Sequence, residues 1–566
     1  MNRRRFVVGS AAAAASGAVL LAEGCNSGGM LTPLGPGTNS YVLNVGYTTS
    51  NIAGYRIRTR TYNGSTAGPI LTTTPGSTLQ VQIVNGLPPN PPAVAPVGHV
   101  RIPAPTSMEQ AMSRRLPLTA VSGPVDPMNN PHLFNTTNLH VHGIQTVPHL
   151  FQPVGTANPA AMMIAVDPGQ TFGYALPIPV DHPSGLHWYH PHHHGSTDVQ
   201  VSGGMAGLIV VRGPIDQVPE IAAAREIFMV IQTLNVNAST TTPGTYEYEP
   251  IAYQPPASGG YNLGTDFTML TVNGQGVNWS NNVTNTYTPL SLPQFQMKPG
   301  EVVRLRILNG TNAYFLPLVL PGMECYQIGF DGVNLLAPNH ATFDFTGTVT
   351  PANMFSANAR FTSPGNRIEM LVQAPQTPGT YTLSAAATNG VNFMPFPKFD
   401  LAQFVVSGPA VQMSIPTSLP TPTREYPIIS DAEIVARRTF TYSEQAPYPT
   451  LLTGIAFLID GTLYDEMAIP TSVQVGTAEE WTIVNQSAES HPFHIHVNSF
   501  QLTAINGVPN NPPEVWDTFV VPPAVNGTPG SITLRIRFLE FSGKAVHHCH
   551  VLPHEDTGMM QNFMIT

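Results

Sequence analysis

The sequence predicts an all-β protein of three β-sandwich domains, and three observations carry that expectation. The composition is poor in charge and rich in helix breakers. One strand-and-turn pattern occurs three times. The histidines crowd the two ends of the chain and spare its middle. The chain has 566 residues, well above the size of one domain. Its 49 glycines and 57 prolines favour short strands joined by turns. Only 10% of the residues are charged, and the net charge of −10 is spread without a long run of either sign. That balance excludes a nucleic-acid binder of the usual basic kind. Three cysteines, Cys25, Cys325 and Cys549, are too few for a disulfide framework. Cys325 reads as a small buried strand residue.

Residues 1–24 read as an export signal. Arg3-Arg4-Arg5-Phe6 opens an apolar, alanine-rich run from Val7 to Ala22, the pattern of a positive start and a short apolar core. Paired arginines followed by Phe resemble a twin-arginine signal, which exports folded proteins and implies a bacterial periplasmic or extracellular location. Cys25 is a candidate lipid anchor, although Ala22 and Glu23 fit a lipobox poorly. The run is shorter than the roughly 20 residues a membrane span needs, and no later stretch is long and apolar enough either.

The repeated pattern is a Gly turn, a second Gly turn, and an alternating strand that ends at Asn. It runs through Asn63-Gly64, Gly76 and Thr78 to Asn85; through Asn273-Gly274, Gly300 and Val302 to Asn309; and through Asp460-Gly461, Gly476 and Ala478 to Asn485. Alternation turns one face of each strand to a core and the other to water, and three copies imply three sandwiches of one kind. Pro- and Gly-rich stretches set the limits at 40–213, 214–409 and 424–566. Residues 86–131, Pro-rich and without a strand pattern, read as an insertion in the first domain.

Of 19 histidines, 11 fall in the first domain, 7 in the third and 1, His340, in the middle. They cluster as His140-x-His142, His190-x-His192, His491-x-x-His494-x-His496 and His548-Cys549-His550, with His554 and Met559 following. In a strand, residues i and i+2 share a face, so each His-x-His pair presents two imidazoles in one direction. The two pairs are 48 residues apart in the first domain and 52 apart in the third, counted from His142 to His190 and from His496 to His548. The same two strands of one sandwich are therefore expected to carry ligands in both domains, and facing domains would bring eight imidazoles to one pocket. Imidazole suits copper, zinc and iron. Cys549 faces away from His548 and His550. With His491, His554 and a weak axial Met559 it makes the two-His, one-Cys, one-Met set of a blue-copper electron-transfer site. The strand is then a short covalent path between two metal sites.

These four motifs resemble those of the multicopper oxidases, which include laccases, copper-tolerance oxidases and bilirubin oxidase. The resemblance covers essentially the whole mature chain. It implies three cupredoxin-like Greek-key domains and four copper ions: type 1 at His491, Cys549, His554 and Met559; type 2 at His140 and His494; and a type 3 pair at His142, His190, His192, His496, His548 and His550. It implies one-electron oxidation of phenols, aromatic amines or similar donors, coupled to reduction of dioxygen to water. A cuprous or metal-ion oxidase serving copper tolerance is the alternative, but the Met-rich insertion that such enzymes often carry is missing. A copper-binding protein without turnover is disfavoured because all twelve ligands are present.

Other residues carry weaker expectations. Glu555 matches a family position that relays protons, and with Cys549 it is the candidate catalytic residue. A second family acid, expected shortly after the first His-x-His pair, is missing between Ile144 and Gln152, and Asp198 or Asp167 is a candidate replacement. Glu489, two residues before His491, is a candidate donor-side carboxylate. His193, His194 and His547 extend the motifs without matching ligand positions. His99, His132, His149, His182 and His187 read as ordinary polar residues.

Overall fold

The computed structural model describes residues 39–90, 126, 128–248, 265–392, 394–446, 448, 451 and 455–566. The export signal, Cys25, His99 and most of the predicted insertion lie outside the described residues. Strands dominate, and the described α-helices are no longer than five residues. None is long and apolar enough to cross a membrane.

Six sheets form the framework. At the N-terminal end, a four-stranded sheet of Gly68–Thr73, Gly207–Val211, Gly185–His190 and His140–His142 faces strands that include Thr78–Asn85. At the C-terminal end, a six-stranded sheet that includes Ala478–Asn485 faces a five-stranded sheet that includes His491–Ile495 and Gly543–Cys549. Strands of the first segment do not stop at a domain edge. Through Thr245–Glu247, which pairs with both Tyr55–Tyr62 and Arg225–Ala238, they continue into one 13-stranded sheet with the middle of the chain.

That continuity changes one expectation. Thr78–Asn85 alternates exposed and buried residues as its sequence suggests. Val302–Asn309 is buried at all eight positions, because it lies inside the long sheet between two neighbours. Its polar face therefore meets protein instead of water. The buried charges of Arg304 and Arg306 are met by Glu369, Asp216 and Glu226, at 2.7 Å (Arg304–Glu369), 2.6 Å (Arg304–Asp216) and 2.8 Å (Arg306–Glu226).

The three strand-ending asparagines share one role. Each is buried and donates its side-chain amide to backbone carbonyls of a following loop: Asn85 to Asn135 and Val166, Asn309 to Tyr314 and Thr362, Asn485 to Glu489 and Pro522. These bonds give backbone carbonyls a buried side-chain donor. In the first and third domains they fix the loops that lead into the histidine-bearing strands.

Candidate metal centre

The histidine pairs lie on matching strands at the two ends of the chain. His140–His142 runs antiparallel to Gly185–His190 with His140 opposite His190, and His491–Ile495 runs antiparallel to Gly543–Cys549 with His494 opposite His548. Only the first pair lies wholly inside a strand. His192, His496 and His550 follow strand ends, so their rings are placed by the loops rather than by the pleat. The two ends interlock ring on ring: His140 stacks on His496 at 3.9 Å between centroids, and His142 on His494 at 3.8 Å. All eight rings are buried.

Their nitrogens converge. His192 Nε2 and His496 Nε2 lie 3.1 and 3.3 Å from His548 Nε2. At these separations the three ring nitrogens can present lone pairs to one shared cation. The hydrogen bonds on the far side of several rings fix which nitrogen faces inward. His190 Nδ1 donates to Pro191 O at 2.7 Å and His494 Nδ1 to Asp517 O at 2.8 Å, leaving each Nε2 buried without a partner. His142 is turned the other way, with Nε2 held by Asp517 and Thr518 and Nδ1 unpartnered. Four histidine groups drawn from this set, one of them including Asp517, bring ligand atoms within 4.8 Å of one another. Burial, and then the neighbouring rings, push His140, His142, His192, His496, His548 and His550 well below the usual histidine range. The rings are thus held in the neutral form that binds metal. The donor set fits a cluster of imidazole-loving ions.

On the other side of the same strand, Cys549 Sγ lies 3.5 Å from His491 Nδ1 and 3.7 Å from His554 Nδ1, and the two nitrogens are 3.1 Å apart. His491 Nε2 contacts Ser487 Oγ at 2.5 Å, and Ser487 Oγ contacts Asn485 Oδ1 at 2.5 Å. The one consistent proton arrangement has His491 Nε2 donating to Ser487 and Ser487 donating to Asn485. Nδ1 then presents its lone pair to Cys549. Phe457 stacks on His554 at 3.9 Å and fixes that ring. Met559 is buried, and its carbonyl accepts from Cys549 N at 3.0 Å. Burial pushes the Cys549 thiol up, against a weaker backbone hydrogen bond from Val551, so metal binding there displaces a proton.

Groups that touch the cluster without being histidine ligands are partly as expected and partly new. Glu555 is fully buried, with Oε1 3.2 Å from His192 Nδ1 and Oε2 3.2 Å from His548 Nδ1. Burial, and then neighbouring Asp556, raise its carboxyl well above the ordinary range. Asp167 and Asp198 do not replace the missing acid. Asp167 is exposed and accepts from Thr136, and Asp198 accepts from Asn312; neither is bonded to a cluster histidine. The acid that reaches this corner is Asp517, with Oδ1 3.2 Å from His142 Nε2. Burial opposes its charge, but the Arg367 guanidinium, His494 and the Thr518 hydroxyl together hold the carboxyl below its usual range. No sequence motif marks Asp517, which is 375 residues from His142.

The sequence reads His149 as ordinary, and the structure corrects that. Its Nδ1 donates to Val147 O and its Nε2 accepts from Val141 N at 3.0 Å. That leaves Nε2 to accept from His140 Nδ1 at 3.1 Å, which turns the unpartnered His140 Nε2 inward. The remaining extra histidines, buried except for the half-buried His132, stand outside the ligand groups. His547 packs among Phe440, Trp481 and Phe493; His194 lies against Tyr464; His193 is near His132; and His182 is beside His187. Cys325 is buried in the middle domain's core, as expected.

Comparison with known proteins agrees with this centre. Three family models, each described as multicopper oxidase, match residues 125–215, 252–399 and 435–566. The chain belongs to the multicopper oxidase family. It is 25% identical to a laccase of Bacillus subtilis over 411 residues, covering 67% of this chain and 70% of that protein. It is 26% identical to a laccase of Haloferax volcanii over 283 residues, 48% of this chain, and spans 45% of that relative's length. Among solved structures, a multicopper oxidase from Campylobacter jejuni, described as a metallo-oxidase, aligns with a TM-score of 0.65 at 21% identity. It covers 96% of this chain and 94% of its own. The Aquifex aeolicus multicopper oxidase aligns with a TM-score of 0.63 at 19% identity, covering 96% of this chain and all of its own. These likenesses establish the cupredoxin-like, three-sandwich fold, and family membership makes the chain a copper oxidoreductase.

Proposed function

We propose that this protein is a laccase-like oxidase that takes electrons singly from a phenolic or similar donor and delivers them to dioxygen, forming water. One observation carries the reading: Cys549 belongs to one ligand group while its chain neighbour His548 belongs to another, and His550 packs against the cluster rings of His142 and His494. His491, Cys549, His554 and Met559 would hold the type 1 copper, His140 and His494 the type 2 copper, and His142, His190, His192, His496, His548 and His550 the type 3 pair. Copper bound at these sites supplies one-electron transfer on one side of the strand and dioxygen reduction on the other. The protein's own part is to orient and insulate. Ser487 and Phe457 fix the two rings beside Cys549. Glu555, between two cluster histidines, holds and passes protons that oxygen reduction consumes. Export to the periplasm or beyond is part of the proposal and rests on the sequence of residues 1–24.

A second reading, a metal-ion oxidase, is favoured by one feature. Glu444 Oε1 lies 3.4 Å from His491 Nε2, on the outer edge of the type 1 pocket. Glu489, in the same loop as Ser487, is half-buried, and burial and then Glu444 raise its carboxyl. Two carboxylates there suit a cation as well as a phenol proton. Oxygen uptake by the copper-loaded protein, with a dimethoxyphenol or with Cu(I) as donor, separates the two. Phenol turnover without added metal supports the laccase-like reading. Rapid Cu(I) consumption, with phenol oxidised only when copper is added, replaces it with the second. No uptake with either donor refutes both.

A further inference from the structure

The middle domain contributes no histidine to the cluster. Its one histidine, His340, pairs with Glu324 on the half-exposed hairpin Glu324–Phe330 and Val333–Ala341. Yet its chain wraps the corner where His142 and His494 stack. Arg367, fully buried at the start of strand Arg367–Gln373, grips Asp517 with both prongs, Nη1 to Oδ1 at 2.8 Å and Nη2 to Oδ2 at 2.6 Å. The same side chain donates to Leu186 O, on the strand that carries His190, at 3.3 Å and to Gly365 O at 3.2 Å. One guanidinium thus touches all three domains.

Its neighbours complete the grip. Asn366 Nδ2 donates to Thr518 O at 2.9 Å, and Asp331 accepts from Arg367 N at 2.9 Å and Thr518 N at 3.3 Å. What the middle domain holds is therefore the Asp517–Thr518 segment, which fixes both stacked imidazoles. His142 Nε2 meets Asp517 Oδ1 and Thr518 Oγ1 at 3.2 and 3.1 Å; His494 Nδ1 meets Asp517 O and Thr518 Oγ1 at 2.8 and 3.0 Å. The chain makes room for this approach with glycines at positive φ. A Cβ on Gly143 (φ 82°) would collide with Arg367 and lie 2.6 Å from Asp517 Oδ2, and one on Gly365 (φ 91°) would lie 3.1 Å from His550 and 3.2 Å from His142.

We propose that Arg367 is a positioning residue for the copper cluster, through which the ligand-free middle domain fixes the ring orientations of His142 and His494. The proposal rests on the reading that copper occupies the cluster. A bidentate guanidinium holds a carboxylate in one orientation, which an ammonium does not. Losing that orientation lets Asp517 rotate and frees both rings.

The test loads metal-free wild type, Arg367→Lys and Asn366→Ala with copper and reads the blue band, the type 2 EPR signal and copper affinity by chelator competition. Circular dichroism checks folding. Asn366→Ala loosens the same grip without stranding a buried charge, so it decides the question should Arg367→Lys not fold. The expected result is an unchanged blue band, type 2 copper bound roughly 10–100-fold more weakly, and an altered type 2 hyperfine splitting. Wild-type type 2 affinity and splitting in the folded variants overturn the proposal, as does equal weakening of the blue site and the type 2 site. A wild type that binds copper at the blue site alone instead overturns the reading of the cluster.

Discussion

Two metal-binding regions meet at Cys549, and they are assembled in opposite ways. The pocket around Cys549 draws His491, Cys549 and His554 from one domain, and its ring orientations are set within that domain by Ser487, Asn485 and Phe457. The eight-imidazole cluster draws four rings from each end of the chain, and its orienting groups come from all three domains: His149, Glu555 with Asp517, and Arg367. A local site tolerates movement between domains. A shared site requires the first and third domains to dock.

Selective damage to either region sharpens that contrast. The largest effect is expected from Cys549→Ser, which removes the thiolate both from the pocket and from the path to His548 and His550. The blue band and donor oxidation should disappear together while circular dichroism stays unchanged; a variant that keeps the blue band removes Cys549 from the type 1 site. Next, Glu555→Gln should leave reduction of the blue copper by donor intact and slow oxygen-dependent reoxidation by roughly 10²- to 10⁴-fold, the range of a lost general acid–base group. Stopped-flow reoxidation at the wild-type rate takes Glu555 out of the proton path. His149→Phe should weaken copper at His140 by roughly 10–100-fold and spare the blue band, measured by chelator competition; equal loss at both regions would mean His149 supports the fold and not the ligand.

A pH effect on the metal-free protein tests the burial of the remaining histidines. Burial holds His149, His182 and His193 at about 4, below the ordinary value of 6.5. Between those values the unfolded chain takes up protons that the folded chain refuses. Stability is therefore full above pH 6.5 and falls as pH drops toward about 4, by about 1.4 kcal/mol per pH unit for each such histidine. Urea midpoints that stay flat from pH 6.5 to 4.5 would contradict the burial of these rings.

Much of the fold and of the candidate site is legible in the order of the residues. His-x-His spacing and the near-equal separations of the pairs single out all eight cluster histidines, although strand alternation accounts only for His140 and His142, and the rings of His192, His496 and His550 are placed by loops beyond the strand ends. His548-Cys549-His550 places two candidate sites back to back. Residues whose role depends on distant partners are not legible in this way. His149 looks like any scattered histidine, and only its contact with His140 gives it a task. The alternation in Val302–Asn309 promises a wet face, but a neighbouring domain covers it, and the charges of Arg304 and Arg306 are met by acids from other strands.

The sequence by itself determined the candidate ligand types, their pairing and the covalent link between the two candidate sites, since these follow from residue identity and spacing. Only the tertiary structure decided which nitrogen of each ring faces inward, which acid stands beside His142, and how a middle domain without ligands reaches the cluster. Those depend on hydrogen bonds between residues up to hundreds of positions apart, such as His142 with Asp517 and Arg367 with Leu186, and no local pattern records them.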